Sequence, residues 1–378
     1  MLPRRPPATA ARRRRPRCSA ATATATDTMT ASTAPADSGI PYAGLTPERM
    51  LDALESAGLR PDGRLLALNS YENRVWQAGI EDAAPVIAKF YRPSRWTDAA
   101  ILEEHAFVQQ LADAEIPAVP ALALPAGAPD AGTLRHHAGF RFAVFPRCGG
   151  REPALDRKDT LTWLGRFIGR IHAVGAAQPY QARPALDIDT FGVAPRDWLL
   201  ASGCIPADLL PAWQSVADLA LDGVRRCYER AGDVPLQRVH GDCHRGNVLW
   251  IDEDDARGGS HGAPGPHFVD FDDSRMAPAI QDIWMLLEGD RAAMQDQLAD
   301  IVAGYEDFAE FRMRELWLVE GLRTLRLLHY SAWLASRWTD PAFPAAFPWF
   351  GTARYWQDRI LELREQVALM DEAPLWGA

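Results

Sequence analysis

The densest set of chemically capable side chains lies between residues 239 and 250. Asp242 and Asn247 are five positions apart in this segment, and a further carboxylate, Asp270, follows an apolar stretch downstream. This order is typical of enzymes that transfer phosphoryl groups. Such a transfer needs one carboxylate that orients the attacking hydroxyl and accepts its proton, and oxygen ligands that hold Mg²⁺ against the phosphates. The pattern predicts Asp242 in the first role and the other two residues in the second.

The same side chains have an ordinary structural explanation. Aspartate and asparagine are common turn formers in glycine-containing loops, and residues 270–273 are also compatible with a solvated acidic run. The order of the whole set favours chemistry, because Lys89 lies upstream on a predicted strand. Glu103 and Glu104 then lie on the predicted helix that follows that strand.

Two other chemistries fit parts of this segment. Cys243 beside His244 has the composition of a thiol nucleophile and its base, although adjacent residues rarely point at one another and no third group orients them. Side chains of the kinds that bind transition metals are also present, namely His240, Asp242, His244, His261 and His267. In the phosphoryl-transfer interpretation His240 instead braces the loop backbone. The sequence contains no G-x-S-x-G or Walker A string, so hydrolase and P-loop interpretations lack support.

The elements that must position these groups begin with a predicted antiparallel sheet. Alternating segments over residues 64–68, 74–78 and 86–91 predict its strands. Because strand side chains alternate between faces, Lys89 should project from the face opposite Phe90. A helix that starts near Thr46 precedes this sheet, a helix over 97–111 follows it, and a further strand is predicted over 140–145.

The second half of the chain has mostly helical periodicity. Pro146 and the sequence Cys148-Gly149-Gly150 predict a flexible connection, which we take as the boundary between two lobes. The fold class is therefore α+β, with an antiparallel-sheet N-lobe and a mostly helical C-lobe. Apolar stripes with helical spacing occur at 159–174, 212–228, 280–304 and 314–338. The predicted domains are a tail over 1–40, an N-lobe over 41–147 and a C-lobe over 148–378, with an insertion at 256–267.

The composition and net charge of the chain exclude several classes of function. The 378 residues are 47% hydrophobic and 24% charged, as in an ordinary globular protein, and the net charge is −10. An acidic chain of this kind is not expected to bind nucleic acid, and the lack of a long apolar run predicts no membrane span. The five cysteines are widely spaced without a CxxC pair, so we expect free thiols and a cytoplasmic location. We expect a monomer.

Residues 1–40 carry seven arginines against two aspartates. Their Arg, Ala, Thr and Pro content favours a disordered tail, or an upstream extension if translation starts at Met29. A targeting segment or a basic interaction arm is the alternative.

Over residues 44–376 the chain resembles the aminoglycoside phosphotransferase-like branch of the protein kinase superfamily. The segments that carry this resemblance are SYENRVWQ (70–77), VIAKFYRP (86–93), ILEEH (101–105), HGDCHRGNVLW (240–250), VDFDDSRMAPAIQDIWMLLEGD (269–290) and DPAFPAAFPWF (340–350). The last two resemble most closely bacterial members that act in stress response. The resemblance implies a bilobal kinase-like fold, ATP as co-substrate, Mg²⁺, and a protein serine or threonine hydroxyl as acceptor.

The resemblance also assigns roles to the residues near the catalytic loop. It implies that Asp242 is the catalytic base and that Asn247 and Asp270 are the Mg²⁺ ligands. Asp282 matches a carboxylate that braces the catalytic loop from the following helix. Residues 145–150 match the hinge beside adenine.

In the N-lobe, Lys89 matches the lysine that contacts the ATP phosphates. Glu104, rather than the adjacent Glu103, best matches the helical carboxylate that pairs with this lysine. The loop over the phosphates lacks the usual glycines. Ser70 and Asn73 would have to replace the backbone contacts that glycines allow.

Two alternatives to a protein kinase remain open. The wider branch phosphorylates aminoglycosides, choline and homoserine-type alcohols. An aminoglycoside pocket should be acidic and a choline pocket aromatic, and the candidate aromatic residues are Trp317, Tyr330, Trp333 and Trp349. A pseudokinase that binds nucleotide without turnover is less favoured, because all the groups needed for turnover are present.

Overall fold

The computed structural model describes residues 40–124, 132–254 and 263–375 of the chain. The described residues belong to one compact unit. The predicted tail, apart from residue 40, lies outside these residues. Most of the predicted insertion, including His261, also lies outside them.

A five-stranded antiparallel sheet dominates the first half of the fold. Its strands have the order β1-β2-β3-β5-β4. Helix α1, Pro47–Ser56, precedes the sheet and begins where the Thr46 hydroxyl accepts a hydrogen bond from the Arg49 backbone amide, as the sequence predicts. The strands are β1 (Pro61–Ala67), β2 (Arg74–Ile80), β3 (Ala83–Phe90), β4 (Arg135–His137) and β5 (Phe140–Pro146).

The register of β3 sets the direction of Lys89. Lys89 pairs with Val75 on β2 and with Ala143 on β5, so it occupies the middle of the sheet. Ala88 and Phe90, its neighbours in the chain, point to the opposite face, where they pack in a core cluster with α1. The predicted orientation of this lysine is confirmed, because its side chain lies on the face that turns toward the helical half.

Helix α2, Asp98–Asp113, joins the two halves. Thr97 caps its first turn by accepting a hydrogen bond from the Ala100 amide. Ile101 packs in a small cluster on the sheet side, whereas Phe107 and Leu111 belong to the main core of the helical half. Both apolar cores therefore hold α2 in place.

The second half is mostly helical, which confirms the predicted α+β class. The prediction of one helix over 280–304 is wrong, because two helices occupy this range. The chain turns at Gly289, and the Asp290 carboxylate caps the second helix. The last long predicted helix begins with a 3₁₀ turn, Met313–Leu318. The helices are α3 (Lys158–Gly175), α4 (Ala194–Ser202), α5 (Leu210–Ala231), α6 (Ile280–Trp284), α7 (Arg291–Tyr305), α8 (Val319–Ser336), α9 (Ala342–Ala346) and α10 (Ala353–Leu369).

Helices α3 and α7 cross with their backbones in contact. A Cβ placed on Gly165 would lie 2.0 Å from the carbonyl oxygen of Ile301, and one on Gly304 would lie 2.1 Å from that of Thr162. Glycine is thus required at both positions by space rather than by backbone dihedral angle. This crossing fixes α3 beneath the segment that carries the catalytic loop.

Two short antiparallel pairs carry the catalytic segments. Strand β6, Gln237–Val239, pairs with β9, Arg275–Ala277, while β7, Val248–Ile251, pairs with β8, Gly265–Phe268. The loop between β6 and β7 contains the predicted base, and the turn between β8 and β9 contains the second predicted metal ligand. Because the β7–β8 pair lies between β6 and β9 in the chain, each of these two segments has a paired strand at both of its ends.

A buried ion-pair cluster ties the segment around Asp340 to the sheet. Asp340 accepts hydrogen bonds from Arg74 at 3.0 Å and from Arg92 at 2.6 Å, and its side chain is only 2% exposed. Nearby, Arg337 Nε lies 2.6 Å from a Glu72 carboxylate oxygen. Residues 337–340 therefore hold the loop between β1 and β2 in place.

Within the described parts of the chain, no helix is both long and apolar enough to cross a membrane.

We expect Asp340→Ala to destabilise the protein by about 3–5 kcal/mol, because it removes the buried carboxylate shared by the buried Arg92 and the partly buried Arg74. Thermal and urea unfolding would measure the loss. Asp371→Ala is the matched control, since Asp371 is 54% exposed where it pairs with Arg226 and Arg230. The control should cost no more than about 1 kcal/mol. Equal losses in the two variants would contradict the prediction.

Candidate active site

A cavity of about 320 Å³ lies between the sheet and the catalytic segments. Part of its lining is polar, with Lys89, Glu104, Asn247 and Asp270 all reaching it. The remaining walls include apolar side chains from both halves, among them Leu68, Val75, Ile87, Val108, Phe145 and Leu249. The site therefore combines a slot for a flat apolar ring with charged and amide groups.

The backbone of the catalytic loop is held by one buried carboxylate. Asp282 accepts hydrogen bonds from the backbone amides of His240 at 2.7 Å and Gly241 at 2.8 Å. Its Oδ2 also lies 3.0 Å from Nε2 of His172 on α3. Gly241 has φ of +85°, and a Cβ there would lie 2.2 Å from the Asp273 carbonyl oxygen. The bracing predicted for Asp282 is thus visible in the structure.

His240 is engaged through both ring nitrogens. Its Nε2 lies 2.9 Å from the Val269 carbonyl oxygen, and its Nδ1 lies 3.3 Å from the Asp242 backbone amide. The ring also packs against Phe271 at 4.4 Å. A neutral imidazole that donates from Nε2 and accepts at Nδ1 satisfies these contacts, which disfavours His240 as a metal ligand.

The structure disfavours both a thiol nucleophile and a transition-metal site. Cys243 is fully buried, and burial raises the pKa of its thiol well above the usual value, so it is a poor nucleophile. Across residues 40–124, 132–254 and 263–375, no three His, Cys, Asp or Glu side chains are grouped to hold a metal ion.

Asp242 sits at the centre of a small polar cluster. The Asn247 side-chain amide donates to its carbonyl oxygen at 2.9 Å and lies 3.4 Å from its Oδ2. His244 Nε2 lies 3.5 Å from Oδ2, and Arg326 Nη1 lies 2.8 Å from Oδ1. Burial alone would raise the pKa of Asp242, but the hydrogen bond from His244 and the charge of Arg326 lower it to about 2. Asp242 is therefore ionised at neutral pH.

Asn247 and Asp270 fit a divalent cation by their chemistry. The Nδ2 of Asn247 is bound to the loop backbone, so Oδ1 is the amide atom left for a metal ion. The Asp270 side chain is 52% exposed and lines the same cavity. An amide oxygen and a carboxylate are ligands that Mg²⁺ accepts together with phosphate oxygens. The backbone of Asp270 is left-handed, with φ of +60°, a conformation uncommon for residues other than glycine.

Lys89 is buried and pairs with two carboxylates. Its Nζ lies 2.9 Å from Asp270 Oδ1 and 3.2 Å from Asp272 Oδ1. Burial of the ammonium would lower its pKa, but these two carboxylates outweigh burial and hold the pKa well above the usual value. The lysine therefore stays charged inside the cavity.

The predicted ion pair between Lys89 and Glu104 is absent from the contacts of the described residues. Glu104 is the buried glutamate of the two candidates and lines the cavity, but its ion pair is with Arg183 at 3.3 Å. Burial raises the pKa of Glu104 to about 6, against the opposing effects of Lys89 and Arg183. Glu103 instead accepts backbone hydrogen bonds from residues 181–183. The difference arises because Asp272 competes for the lysine.

Ser70 and Asn73 also have contacts other than those predicted. The Ser70 hydroxyl donates to the Asn73 carbonyl oxygen at 3.1 Å. Asn73 donates from Nδ2 to Asp272 Oδ2 at 3.1 Å and accepts from the Arg92 amide at 3.1 Å. Neither residue lines the cavity. Both shape the loop from within, because their polar atoms are used to hold its backbone.

Two groups in the site had no signal in the sequence. Arg326 comes from α8, far along the chain from the catalytic loop, and belongs to no motif. Arg95 donates to both Asp272 and Asp273, which places a buried cation beside the segment that contains Asp270. Only the three-dimensional packing brings these arginines to the site.

Comparison with known proteins identifies relatives of the chain. Residues 64–316 match the model of the phosphotransferase enzyme family. Stress response kinase A of Escherichia coli strain K12 is 41% identical over 339 residues, which cover 90% of this chain and 98% of the relative. Serine/threonine protein kinase RdoA of Salmonella typhimurium strain LT2 is 40% identical over the same length and coverage.

A solved structure has the same fold. The amicoumacin kinase hAmiN, in complex with AMP-PNP, Ca²⁺ and Ami, superposes with a TM-score of 0.64 over 87% of this chain and 95% of that chain. Its sequence identity is 17%, so the likeness concerns the fold. The expected kinase-like fold is thereby confirmed.

We expect Asp242→Ala to lower phosphoryl transfer by at least the roughly 10²–10⁴-fold that a positioned general base supplies. Nucleotide affinity should change little, because the Asp242 side chain is not part of the cavity lining. Steady-state rates and equilibrium titration with a fluorescent ATP analogue would measure the two effects. The control is Asp307→Ala, which removes an exposed aspartate paired with Arg166. Full activity in Asp242→Ala would rule out this residue as the base.

We expect Asp270→Ala to weaken binding of the Mg²⁺–ATP complex by more than the roughly 10–100-fold that outer-shell changes cost metal sites. Affinity for ATP in the presence of EDTA should fall less, because the carboxylate acts through the metal ion. Calorimetric titrations with and without Mg²⁺ separate the two quantities. An equal loss under both conditions would contradict a metal role for Asp270.

Proposed function

This chain belongs to the phosphotransferase enzyme family, and we propose that it transfers the γ-phosphate of ATP to serine or threonine hydroxyls of a protein. Membership of a kinase family implies a nucleoside triphosphate donor and a divalent metal ion. We propose Mg²⁺ as that ion. The proposal includes a role in the bacterial stress response, following the name of the E. coli relative.

The observation that carries the proposal is the arrangement of four groups around one cavity. Lys89, Asn247 and Asp270 line it, and the Asn247 amide links it to Asp242. Three of these groups lie on segments anchored at both ends, so they are positioned before substrate binds. Positioning and charge neutralisation are the main contributions of a protein to phosphoryl transfer.

The donor side of the site fits ATP. The apolar walls suit the adenine ring, and Phe145 to Cys148 form the edge of the cavity where a hinge is expected. Lys89 supplies a buried positive charge for the phosphates. A divalent ion held by Asn247 and Asp270 would neutralise charge on the phosphates.

On the acceptor side, Asp242 orients the hydroxyl and takes its proton. The hydroxyl oxygen forms a bond to the γ-phosphorus as the bond between that phosphorus and the β–γ bridging oxygen breaks, and ADP leaves. An ionised Asp242 is ready to accept this proton, consistent with its lowered pKa. The hydrogen bond from Asn247 keeps the carboxylate beside the metal site.

A protein acceptor is supported by the Salmonella relative, which is named a serine/threonine protein kinase. The second candidate function is a small-molecule kinase, because the structurally similar hAmiN is an amicoumacin kinase. The two functions differ only in the acceptor. The arginine beside Asp242 favours the protein acceptor, since aminoglycosides and choline are cations.

The test is transfer of labelled γ-phosphate with Mg²⁺ and a generic protein substrate, with aminoglycosides and choline in parallel reactions. We expect label in protein with the wild type and its loss with Asp242→Ala. Label in one small alcohol but not in protein would move the function to the second candidate. Nucleotide binding without any transfer would indicate a pseudokinase instead.

A further inference from the structure

We propose that Arg326 selects acceptors that carry an anionic group near the reacting hydroxyl, and that it exchanges its ion pair with Asp242 for one with the acceptor. This inference rests on the proposed function, because it takes Asp242 as the base. The acceptor class is then an acidic serine- or threonine-containing segment. Arg326 acts as a specificity-determining residue.

The inference starts from the geometry of one ion pair. Arg326 Nη1 lies 2.8 Å from Asp242 Oδ1, which places a guanidinium directly on one oxygen of the predicted base. The other oxygen, Oδ2, faces His244 and Asn247 at 3.5 and 3.4 Å. Both oxygens of Asp242 therefore have a neighbour within 3.5 Å before any acceptor arrives, but the contact of Oδ1 with Arg326 is an ion pair without hydrogen-bond geometry.

An incoming hydroxyl must hydrogen-bond to one of these two oxygens. Oδ2 is held by groups of the loop itself, which also position the Asn247 amide. Oδ1 is held by Arg326, whose side chain is 44% exposed and belongs to a different element, α8. Oδ1 is thus the oxygen that becomes available when a long, solvent-reachable side chain moves.

The charges near Arg326 make it the natural contact for an anion. Among the described residues, Asp242 is the only carboxylate with which Arg326 forms an ion pair. Arg359, another arginine near Tyr330, is already paired with Glu362. Burial raises the pKa of the Tyr330 hydroxyl, and the positive charges of Arg326 and Arg359 oppose this effect. When Arg326 leaves Asp242, its charge needs a new partner.

The positive charge of Arg326 determines which acceptors are preferred. An acceptor bound to Asp242 lies within a few ångströms of the guanidinium, where like charges repel and opposite charges attract. A cationic acceptor is therefore disfavoured. An acidic acceptor gains an ion pair and at the same time frees Oδ1 for its own hydroxyl.

The experiment uses three serine peptides that differ only in the residues flanking the serine, which are acidic, neutral or basic. The values of kcat/KM are compared for the full-length wild type, Arg326→Ala and Arg326→Glu. We expect the wild type to prefer the acidic over the basic peptide by about tenfold or more. Arg326→Glu should reverse this order, and Arg326→Ala should nearly abolish it.

The matched control is Arg364→Glu. It makes the same change in net charge at an exposed position on α10, and it should keep the wild-type order of peptides. Arg326→Lys should retain a preference for the acidic peptide, because it keeps the positive charge. Thermal unfolding of every variant verifies that the fold is intact.

Two results would separate the possible failures. If Arg326→Ala discriminates among the peptides as the wild type does, the selecting role of Arg326 is overturned while the protein kinase remains. If no enzyme labels any peptide but a small alcohol is labelled, the proposed function itself is overturned. A reversed order in the control as well as in Arg326→Glu would also refute the inference, because net charge would then explain the preference.

Discussion

The structure of the site depends on one buried carboxylate, Asp272. It lies within ion-pair distance of Lys89 at 3.2 Å, accepts a hydrogen bond from Asn73 at 3.1 Å and contacts the guanidinium of Arg95. Burial would raise its pKa, but the positive charges of Arg95 and Lys89 lower it to about 2. A buried charge must be paired. Asp272 therefore holds together β3, the loop between β1 and β2, and the segment between β3 and α2, because these three elements supply its partners.

The catalytic loop depends on a second buried carboxylate of the same kind. Asp282 binds two successive backbone amides, and the left-handed Gly241 allows the chain to pass the Asp273 carbonyl closely. The loop is thus shaped by hydrogen bonds to its backbone, from the Asp282 carboxylate and from the Asn247 side-chain amide. Asn247 lines the cavity, and its side-chain amide contacts Asp242.

The sequence was most informative where partners are close along the chain. The strand that carries Lys89, the cap at Thr46, the helix that follows the strand, and the loop from His240 to Asn247 follow from local patterns of alternation, capping and spacing. Pairings across the fold did not follow. Lys89 pairs with Asp272 instead of Glu104 because several carboxylates converge on one lysine, and no local pattern ranks them.

Local sequence patterns also do not predict the contacts of the loop between β1 and β2 or the position of Arg326. The loop lacks the usual glycines, and its contacts come from Arg92 and Asp272, which local patterns do not connect to it. The division into domains at residue 147 remains a prediction, since α2 packs into the cores of both halves.

The ion pairs of Asp340 have a consequence for how the protein is made. Arg74 begins β2 and Arg92 follows β3, so both leave the ribosome early, yet the carboxylate that pairs with them is encoded near the end of the chain. The ion pairs of Arg74 and Arg92 with Asp340 therefore form only after most of the polypeptide has been made. The final packing of the loop between β1 and β2 is thereby linked to completion of synthesis, so an interrupted chain leaves that loop without one of its anchors.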